Sequence, residues 1–265
     1  DPKNRLNDDE GRVNANIDRV RARKHRLRDD HVTLAHGAGG KASAALVENV
    51  FWEIFGGDVL PDGGDSAVLP LAGVLGEAAA GGSLAMSTDS YVVNPIEFPG
   101  GDIGELAVNG TVNDLAMAGA APKAITAAFV LEEGLPIDVL RRIVESMARA
   151  ARRAGVDIVA GDTKVVPRGA CDKMYVTTAG VGVVPAGRRT GYGEIGEGDR
   201  IIVSGPIADH GMSVMMARGD LAIDAPIQSD TRAVNDLVEA LFAAVPDVRF
   251  LRDATRGGVA TVMNE

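Results

Sequence analysis

Short apolar runs of β-strand type alternate with helical patterns along most of the chain, and this alternation restricts the fold more than any other feature. Five runs are strand candidates, at residues 84–93, 125–133, 157–166, 174–184 and 199–205. Three segments with helical periodicity lie before and between them, at residues 41–55, 102–118 and 136–154. This order of elements predicts a fold of the α/β or α+β class.

A cluster of glycine and charged residues at 187–199 separates two apolar regions and predicts a domain boundary. We therefore expect a polar, disordered arm over residues 1–30, a first domain over 31–186, and a second domain over 187–265. Residues 250–265 have the pattern of a strand, a loop and the first turns of a helix, with no signal that ends the helix. The second α/β domain is accordingly predicted to be truncated.

The charge of the chain is unevenly distributed. Residues 19–28 include six basic side chains, which form either a solvated arm or a docking arm for an acidic partner. The first thirty residues hold nine of the 27 Lys and Arg and seven of the 37 Asp and Glu, which leaves 18 basic and 30 acidic residues in the body. A body of this charge repels nucleic acid, so we expect no nucleic-acid partner.

The sequence also bears on the compartment of the protein. No apolar run has the length of a transmembrane helix, so we expect no membrane partner. The single cysteine, Cys171, permits no internal disulfide, which suits a reducing cytoplasm. We expect Cys171 to be a small packed residue rather than a reactive one.

The glycine-rich stretch HGAGGK, at residues 36–41, has two interpretations. Glycines leave backbone N–H groups free to converge on an anion such as a phosphate. The spacing of Gly37, Gly39 and Gly40 is nevertheless too tight for either of the common glycine-rich nucleotide motifs. On the residues alone, a flexible loop and a phosphate site both remain open.

Four aspartates stand at the ends of apolar runs, beside glycine or small residues: Asp65, Asp89, Asp162 and Asp253. A buried carboxylate without a partner costs several kcal/mol. Such residues are therefore either hydrogen-bonded in turns or held together by a cation. Four of them together favour Mg²⁺, a hard cation that prefers carboxylate oxygens and retains water and substrate phosphate.

The helical segment 102–118 carries a polar stripe made of Asp102, Glu105, Asn109 and Asn113. This stripe is either the exposed face of a core helix or a functional surface, because asparagine is a poor helix former. Asp114 follows at its end. Farther along, the turn at 253–258 offers the N–H groups of a helix N-terminus, with Arg256 beside them, to a phosphate. Together these features predict an Mg²⁺-dependent enzyme that uses a nucleoside triphosphate without a Walker motif.

Five segments in this order resemble the HypE family of hydrogenase maturation proteins, the carbamoyl dehydratases, within the aminoimidazole ribonucleotide synthase superfamily. They are HGAGGK, GDSAVL, residues 87–122, GDTKVV and LRDATRGGVA. The resemblance covers residues 31–265. It implies a PurM-like architecture with an N-terminal domain whose sheet pairs across a homodimer, and ATP held between the two domains. We expect the strands at 84–93 and 174–184 to make that pairing.

The resemblance also implies roles for individual residues. The Mg²⁺ ligands of the superfamily fall on Asp65, Asp89, Asp114 and Asp253. The glycine-rich stretch resembles a mobile segment that closes over bound nucleotide. The full set of predicted ATP contacts comprises Gly37, Gly39, Gly40, Asn113, Asp162, Thr163, Lys164 and Arg256. The roles of His36 and Lys41 are left undetermined.

The reaction implied by the resemblance begins with a carbamoyl group that the carbamoyltransferase HypF places on a C-terminal cysteine. ATP then phosphorylates the carboxamide oxygen, and elimination of phosphate yields a protein thiocyanate. The cyanide passes to iron on a HypC–HypD scaffold for [NiFe]-hydrogenase. The 265 residues contain no cysteine-ended tail, so we expect this chain alone not to complete the dehydration.

Three other functions are compatible with parts of the sequence. Thiamine-monophosphate kinase, of the same superfamily, needs no cysteine tail. Selenophosphate synthetase requires a reactive cysteine or selenocysteine in its N-terminal segment, where this chain has HGAGGK and no cysteine. A non-catalytic scaffold that docks hydrogenase accessory proteins is the third.

Overall fold

The computed structural model describes residues 25–56, 81–221 and 225–264. The helices are α1 (Gly40–Leu46), α2 (Glu53–Phe55), α3 (Ile103–Met117), α4 (Ile137–Ala154), α5 (Asp209–Arg218), α6 (Asn235–Ala244) and α7 (Gly258–Asn264). A π-helical segment, Val47–Trp52, joins α1 to α2, and short 3-10 turns lie at Leu34–His36 and Tyr192–Glu194. The strands are β1 (Ser83–Tyr91), β2 (Glu97–Phe98), β3 (Gly101–Asp102), β4 (Ala121–Glu132), β5 (Asp157–Val166) and β6 (Met174–Val184).

The main sheet has four strands in the order β1-β6-β4-β5, and β2 pairs with β3 in a separate hairpin. Strand β6 is antiparallel to both of its neighbours, whereas β4 and β5 are parallel and α4 connects them. One row across the sheet runs from Asp89 through Thr178 and Ala127 to Gly161. The predicted mixed α/β class is confirmed, and four of the five predicted strands are present.

The two faces of the main sheet differ in burial. Helices α3 and α4 pack against one face and bury side chains such as Leu140 and Met147, while Gly104 lets α3 approach the Ile143 carbonyl of α4. On the opposite face of β1, Leu84 and Met86 are 57% and 73% exposed. Among the residues that the structure describes, the sheet therefore forms a two-layer structure with one uncovered face.

The strand predicted at residues 199–205 is wrong. Residues 201–204 have no regular structure, and Ile202 is 84% exposed. The strand expected at the start of 250–265 is also absent, although α7 follows it as a helix. A strand exists only where a neighbour accepts and donates its backbone hydrogen bonds, and in the described ranges neither segment pairs with another strand.

The expected pairing of β6 across a two-fold axis is also wrong, because β1 and β4 occupy both of its edges. Strand β1, the other strand of that prediction, does lie at an edge, as does β5. Within the predicted N-terminal arm, residues 1–24 lie outside the described part. His25 contacts the body: its backbone N–H donates to Glu48 at 2.8 Å, and its carbonyl accepts from Asn49 at 2.7 Å.

The second region, from residue 187 onward, packs against the first through α3. Val238 and Phe242 of α6 are buried against Ala116 of α3, and Val248 and Leu251 pack on the same cluster. Arg188 donates to both carboxylate oxygens of Glu239 at 2.6 and 2.7 Å. In the described ranges, no helix is both long and apolar enough to cross a membrane.

Candidate functional site

A cavity of about 310 Å³ lies between the glycine-rich stretch and β5. Gly37 and Gly39 line one side, and Asp162, Thr163 and Lys164 line another. These five predicted ATP contacts, far apart in sequence, are thus brought together. We call this space the glycine cavity. Gly40 is the first residue of α1 and directly follows Gly39, which lines the cavity.

Glycine is required at two positions of this wall for different reasons. A Cβ on Gly37 would lie 2.7 Å from the Val165 amide nitrogen, so only glycine allows the chain to approach β5 this closely. Gly39 has φ +85°, which other residues rarely adopt. Its N–H donates to Ser43 Oγ at 2.9 Å. The glycines therefore allow the backbone shape of the stretch. The approach of Gly37 to β5 and the hydrogen bond from Gly39 to Ser43 hold it in place.

His36 anchors the start of the glycine-rich stretch. Its ring is buried, and Nδ1 accepts a hydrogen bond from the Thr33 backbone N–H at 2.9 Å. Because Nδ1 is an acceptor, the proton of the neutral ring is on Nε2, which lies 3.4 Å from Asp29 Oδ2. The arrangement assigns His36 a structural role next to the cavity.

The polar wall of the cavity is formed by adjacent residues of β5. Lys164 Nζ donates to both carboxylate oxygens of Asp162, at 2.9 and 2.8 Å, and the Thr163 N–H donates to the same carboxylate at 2.8 Å. The Lys164 hydrogen bond is the main cause that lowers the pKa of Asp162. Asp162 is consequently ionised at neutral pH and partly neutralised by Lys164.

The remaining wall is aromatic, and the sequence reasoning missed it. Phe51, Trp52 and Phe55 project from the π-helical segment and α2, and Phe129 of β4 completes the surface. The rings of Phe51 and Phe129 are 4.8 Å apart. A signal existed in the sequence FWEIF, because the spacing of Phe51 and Phe55 places both rings on one side of a helix.

A second group of predicted residues, the carboxylate cluster, comprises Asp89 on β1, Asp114 on α3 and Asp253 before α7. Ser87 Oγ donates to Asp114 Oδ2 at 2.6 Å. Burial is the main cause that raises the pKa of Asp253, and the negative charges of Asp114 and Asp89 raise it further. Three carboxylates from separate elements therefore share one electrostatic environment.

Tyr91 belongs to the same environment. It is buried on β1, and a Cβ on Gly110 of α3 would collide with its hydroxyl. Burial is the main cause that raises the pKa of Tyr91, with contributions from Asp89 and Asp114. The cluster thus includes a neutral hydroxyl close to charged oxygens, which sequence reasoning did not identify.

The donor set of the carboxylate cluster fits Mg²⁺. It supplies hard oxygen ligands and concentrated negative charge. In the described ranges, no three His, Cys, Asp or Glu side chains converge closely enough to hold a metal by themselves. Mg²⁺ commonly takes one or two carboxylates and completes its shell with water and phosphate, so three spaced carboxylates suit it. Asp65, the fourth predicted ligand, lies outside the described residues.

The glycine cavity and the carboxylate cluster lie at opposite edges of the main sheet. Asp89 is on the edge strand β1, whereas Gly161 is at the other end of the same row, on β5. Neighbouring strands are about 4.8 Å apart, so three spacings separate these positions by about 14 Å. Within one chain, the predicted ATP contacts and the predicted metal ligands therefore form two separate groups.

Two predicted ATP contacts lie outside the glycine cavity. Asn113 Nδ2 donates to the Arg232 carbonyl at 3.0 Å, and its Oδ1 accepts from the Val234 N–H at 2.9 Å. Arg256 is exposed in the turn that precedes α7, three residues after Asp253. Both positions are on the side of the carboxylate cluster, and their contact with ATP stays a prediction.

The sequence matches models of the AIR synthase related proteins, the N-terminal domain over residues 63–184 and the C-terminal domain over 196–265. It is 54% identical to carbamoyl dehydratase HypE of Rhodobacter capsulatus over 239 residues, which cover 90% of this chain and 68% of that protein. The chain belongs to the HypE family. It is also 46% identical to HypE of Escherichia coli, covering 89% of this chain and 69% of the relative.

Solved structures of HypE proteins have the same fold. A HypE in complex with ATP aligns with a TM-score of 0.81 at 48% identity, covering 88% of this chain and 67% of that one. A HypE–HypF complex aligns with a TM-score of 0.66 at 47% identity, covering 82% and 68%. The predicted PurM-like fold and family membership are thereby confirmed. The chain spans about two thirds of the length of these relatives.

Cys171 is placed as predicted. It is buried in the loop before β6, and burial is the main cause that raises the pKa of its thiol. A thiol with a raised pKa is a poor nucleophile at neutral pH. The structure therefore gives Cys171 a packing role.

Proposed function

We propose that this protein acts in hydrogenase maturation as an ATP-dependent carbamoyl dehydratase, which converts a carbamoyl group on a C-terminal cysteine of the full-length protein into a thiocyanate. The observation that carries the proposal is the glycine cavity. It joins the HGAGGK stretch to Asp162–Lys164, as a nucleotide site requires, in a chain whose HypE relatives include an ATP-bound structure.

Each wall of the cavity suits one part of ATP. The aromatic surface of Phe51, Trp52 and Phe55 offers a flat apolar contact for the adenine base. The glycine backbone of the HGAGGK stretch offers N–H groups for phosphate oxygens. Lys164 is placed to exchange its bond with Asp162 for one with the nucleotide.

The carboxylate cluster, with Asp65, would hold the Mg²⁺ that accompanies the triphosphate. When bound, Mg²⁺ would supply positive charge that neutralises the negative charge developing during phosphoryl transfer. The carboxylates of Asp89, Asp114 and Asp253 would hold the cation in place. The repulsion that raises the pKa of Asp253 favours the bound state of a cation.

The reaction proceeds in two steps, phosphorylation of the carboxamide oxygen and elimination of phosphate. The carboxamide oxygen of the S-carbamoyl group attacks the γ-phosphorus of ATP, ADP leaves, and the nitrogen loses one proton. The resulting O-phosphorylated imidate loses phosphate and its second N–H proton, which leaves the thiocyanate. The protein contributes position and electrostatics to the first step, as in phosphoryl transfer generally.

A homodimer would combine the two groups of residues. The uncovered sheet face with exposed Leu84 and Met86, and the free edges of β1 and β5, offer surfaces for a second copy. Because Asp89 lies about 14 Å from Gly161, at the opposite edge of its own sheet, we infer that each site takes its carboxylates from one subunit and its glycine cavity from the other.

The remaining parts of the proposal follow from family membership. The carbamoyl group would come from HypF, with which a HypE relative has been crystallised. The cyanide would pass to iron on the HypC–HypD complex. We place these events in the cytoplasm, where cysteine thiols stay reduced.

A complementation experiment tests both the nucleotide site and its sharing. In the full-length protein, Asp89→Asn removes a carboxylate and Asp162→Ala alters the cavity, and each variant alone should lose most Mg·ATP binding. Unfolded and refolded together, the two variants should form mixed dimers in which one site is intact. Isothermal titration should then detect binding sites of wild-type affinity.

The controls separate the alternatives. Asn49→Ala, which changes neither group, should bind Mg·ATP like wild type both alone and in the mixture. If the mixture of Asp89→Asn and Asp162→Ala shows no recovery while mixed dimers form, the shared site is wrong. If both single variants bind Mg·ATP normally, the assignment of the site itself is wrong.

A further inference from the structure

The C-terminal half of the polar stripe of α3 faces the second region of the chain, whereas Asp102 and Glu105 bond within the first region. Asn109 and Asn113 both contact residues 229–235, a segment that we call the strap, which is irregular up to Val234 and ends at the first residue of α6. Asn113 bonds to the backbone on both sides of Ala233, while Asn109 Nδ2 donates to Thr231 Oγ1 at 3.2 Å. An asparagine side chain that accepts from one backbone N–H and donates to a carbonyl nearby acts as a strand partner would.

The strap is fixed to the first region along its whole length. The Ser229 N–H donates to the Pro99 carbonyl at 2.8 Å, and Asn235 Nδ2 donates to the Ala154 carbonyl at 3.1 Å. Gly100 leaves room for this approach, since a Cβ there would lie 2.6 Å from the Ser229 nitrogen. Asn113 therefore holds the middle of a segment whose ends are also secured.

A continuous set of contacts leads from the strap to Asp253. Val234 packs on the cluster formed by Ala116, Val238 and Phe242, and Leu251 packs on the same cluster. Asp253 is two residues beyond Leu251. Asp114, whose negative charge contributes to the raised pKa of Asp253, is adjacent to Asn113 on α3. One turn of α3 thus holds both the strap and one carboxylate of the cluster.

We propose that Asn113 is a positioning residue that sets the distance between Asp114 and Asp253, and thereby the metal dependence of nucleotide binding. The proposal rests on the proposed Mg·ATP site. In this proposal Asn113 does not contact ATP. It acts by holding the strap of the second region. Its consequence is specific: loosening the strap weakens the contribution of Mg²⁺ and leaves the glycine cavity unchanged.

The test is a pair of titrations with a non-hydrolysable ATP analogue, once with excess Mg²⁺ and once with a chelator. The ratio of the two dissociation constants is the magnesium enhancement. Asn113→Ala should reduce this enhancement about tenfold, because two hydrogen bonds of ordinary strength are lost. Binding of the metal-free analogue should be unchanged.

Thr231→Val, which removes only the Asn109 contact, should give a smaller reduction in the same direction. Asn49→Ala is the matched control, since Asn49 also donates two hydrogen bonds, to His25 and Ala45 carbonyls, but lies on the π-helical segment. It should leave the enhancement unaltered. Hydrogen exchange should show loss of protection at residues 231–235 in Asn113→Ala and not in Asn49→Ala.

The outcomes distinguish the inference from the proposed function. If wild type shows no magnesium enhancement, the proposed Mg·ATP site fails and the inference fails with it. If wild type shows the enhancement and Asn113→Ala keeps it while the strap loses protection, the positioning role alone is wrong. An equal loss in Asn49→Ala would indicate general destabilisation and would also overturn the role.

Discussion

The two regions of the chain obtain their stability in different ways. The first region, from residue 25 to 186, encloses its own core between a four-stranded sheet and two long helices. In the described part of the second region, three helices are present and no strand. Its buried residues Val238 and Phe242 pack on Ala116 of the first region. The comparison teaches that apolar sequence forms a strand only where a neighbouring strand is available.

The largest expected effect is a loss of stability in the core of the first region, compared with an exposed position in the second region. Leu140→Ala, in the fully buried part of α4, should lower the free energy of unfolding by about 2–5 kcal/mol because it leaves a cavity. Ile202→Ala, at an exposed position of the second region, should change it by less than about 0.5 kcal/mol. Urea denaturation monitored by circular dichroism measures both. Similar losses for the two variants would contradict the contrast between regions.

An intermediate effect is expected where the regions meet. Arg188 is 17% exposed, donates to Glu239 and to the Gly119 carbonyl, and lies over the ring of Phe242. Arg188→Ala should cost about 1–2 kcal/mol. Arg142→Ala, which breaks an exposed ion pair with Glu97 inside the first region, should cost less than Arg188→Ala because solvent screens that pair.

The cost of Arg188→Ala should also depend on pH. The Arg188 hydrogen bond lowers the pKa of Glu239, so the pair stabilises the fold above the ordinary glutamate pKa of 4.5. That stabilisation is lost as the pH falls through the lowered pKa. Thermal melts of wild type and Arg188→Ala should therefore converge in acid. A gap that stays constant at low pH would show that the ion pair with Glu239 does not account for the cost of Arg188→Ala.

The smallest expected effect is a gain in stability. Asp253→Asn removes a carboxylate whose pKa is raised by burial and by Asp114, so the metal-free protein should melt about 2–4 °C higher at neutral pH. The raised pKa means that the destabilisation appears as the pH rises through it, so the gain should vanish below the ordinary aspartate pKa. Differential scanning fluorimetry at two pH values measures this. A lower melting temperature would indicate that Asp253 stabilises the contact between regions.

Local patterns were sufficient for the first region and insufficient for the second. The run at 174–184 and the helical pattern at 136–154 appear as β6 and α4 because strand partners and a covering helix follow within the same region. The equally apolar run at 199–205 has no such partner in the described ranges. An apolar pattern of this kind predicts a buried strand. Whether the strand forms depends on partner residues that are distant in sequence.

The candidate site shows the same limit. The family resemblance assigned Gly37, Gly39 and Asp162 to the nucleotide site, and the structure places them around one cavity. No local pattern indicates that Asp89 lies at the opposite edge of the sheet, because strand order is set by connections between elements. Of the two alternatives left open for the polar stripe, an exposed face does not hold for Asn109, which is buried, and its partner, Thr231, is 122 positions away.

The dependence of the second region on α3 also fixes an order of events during synthesis. Helix α3 and its sheet are complete once β6 has left the ribosome, whereas α6 and the strap emerge later and find their packing surface already formed. Domains generally fold as units from the N-terminus during translation. The first region thus forms before the segment that carries Asp253, and that segment packs onto a surface that already exists.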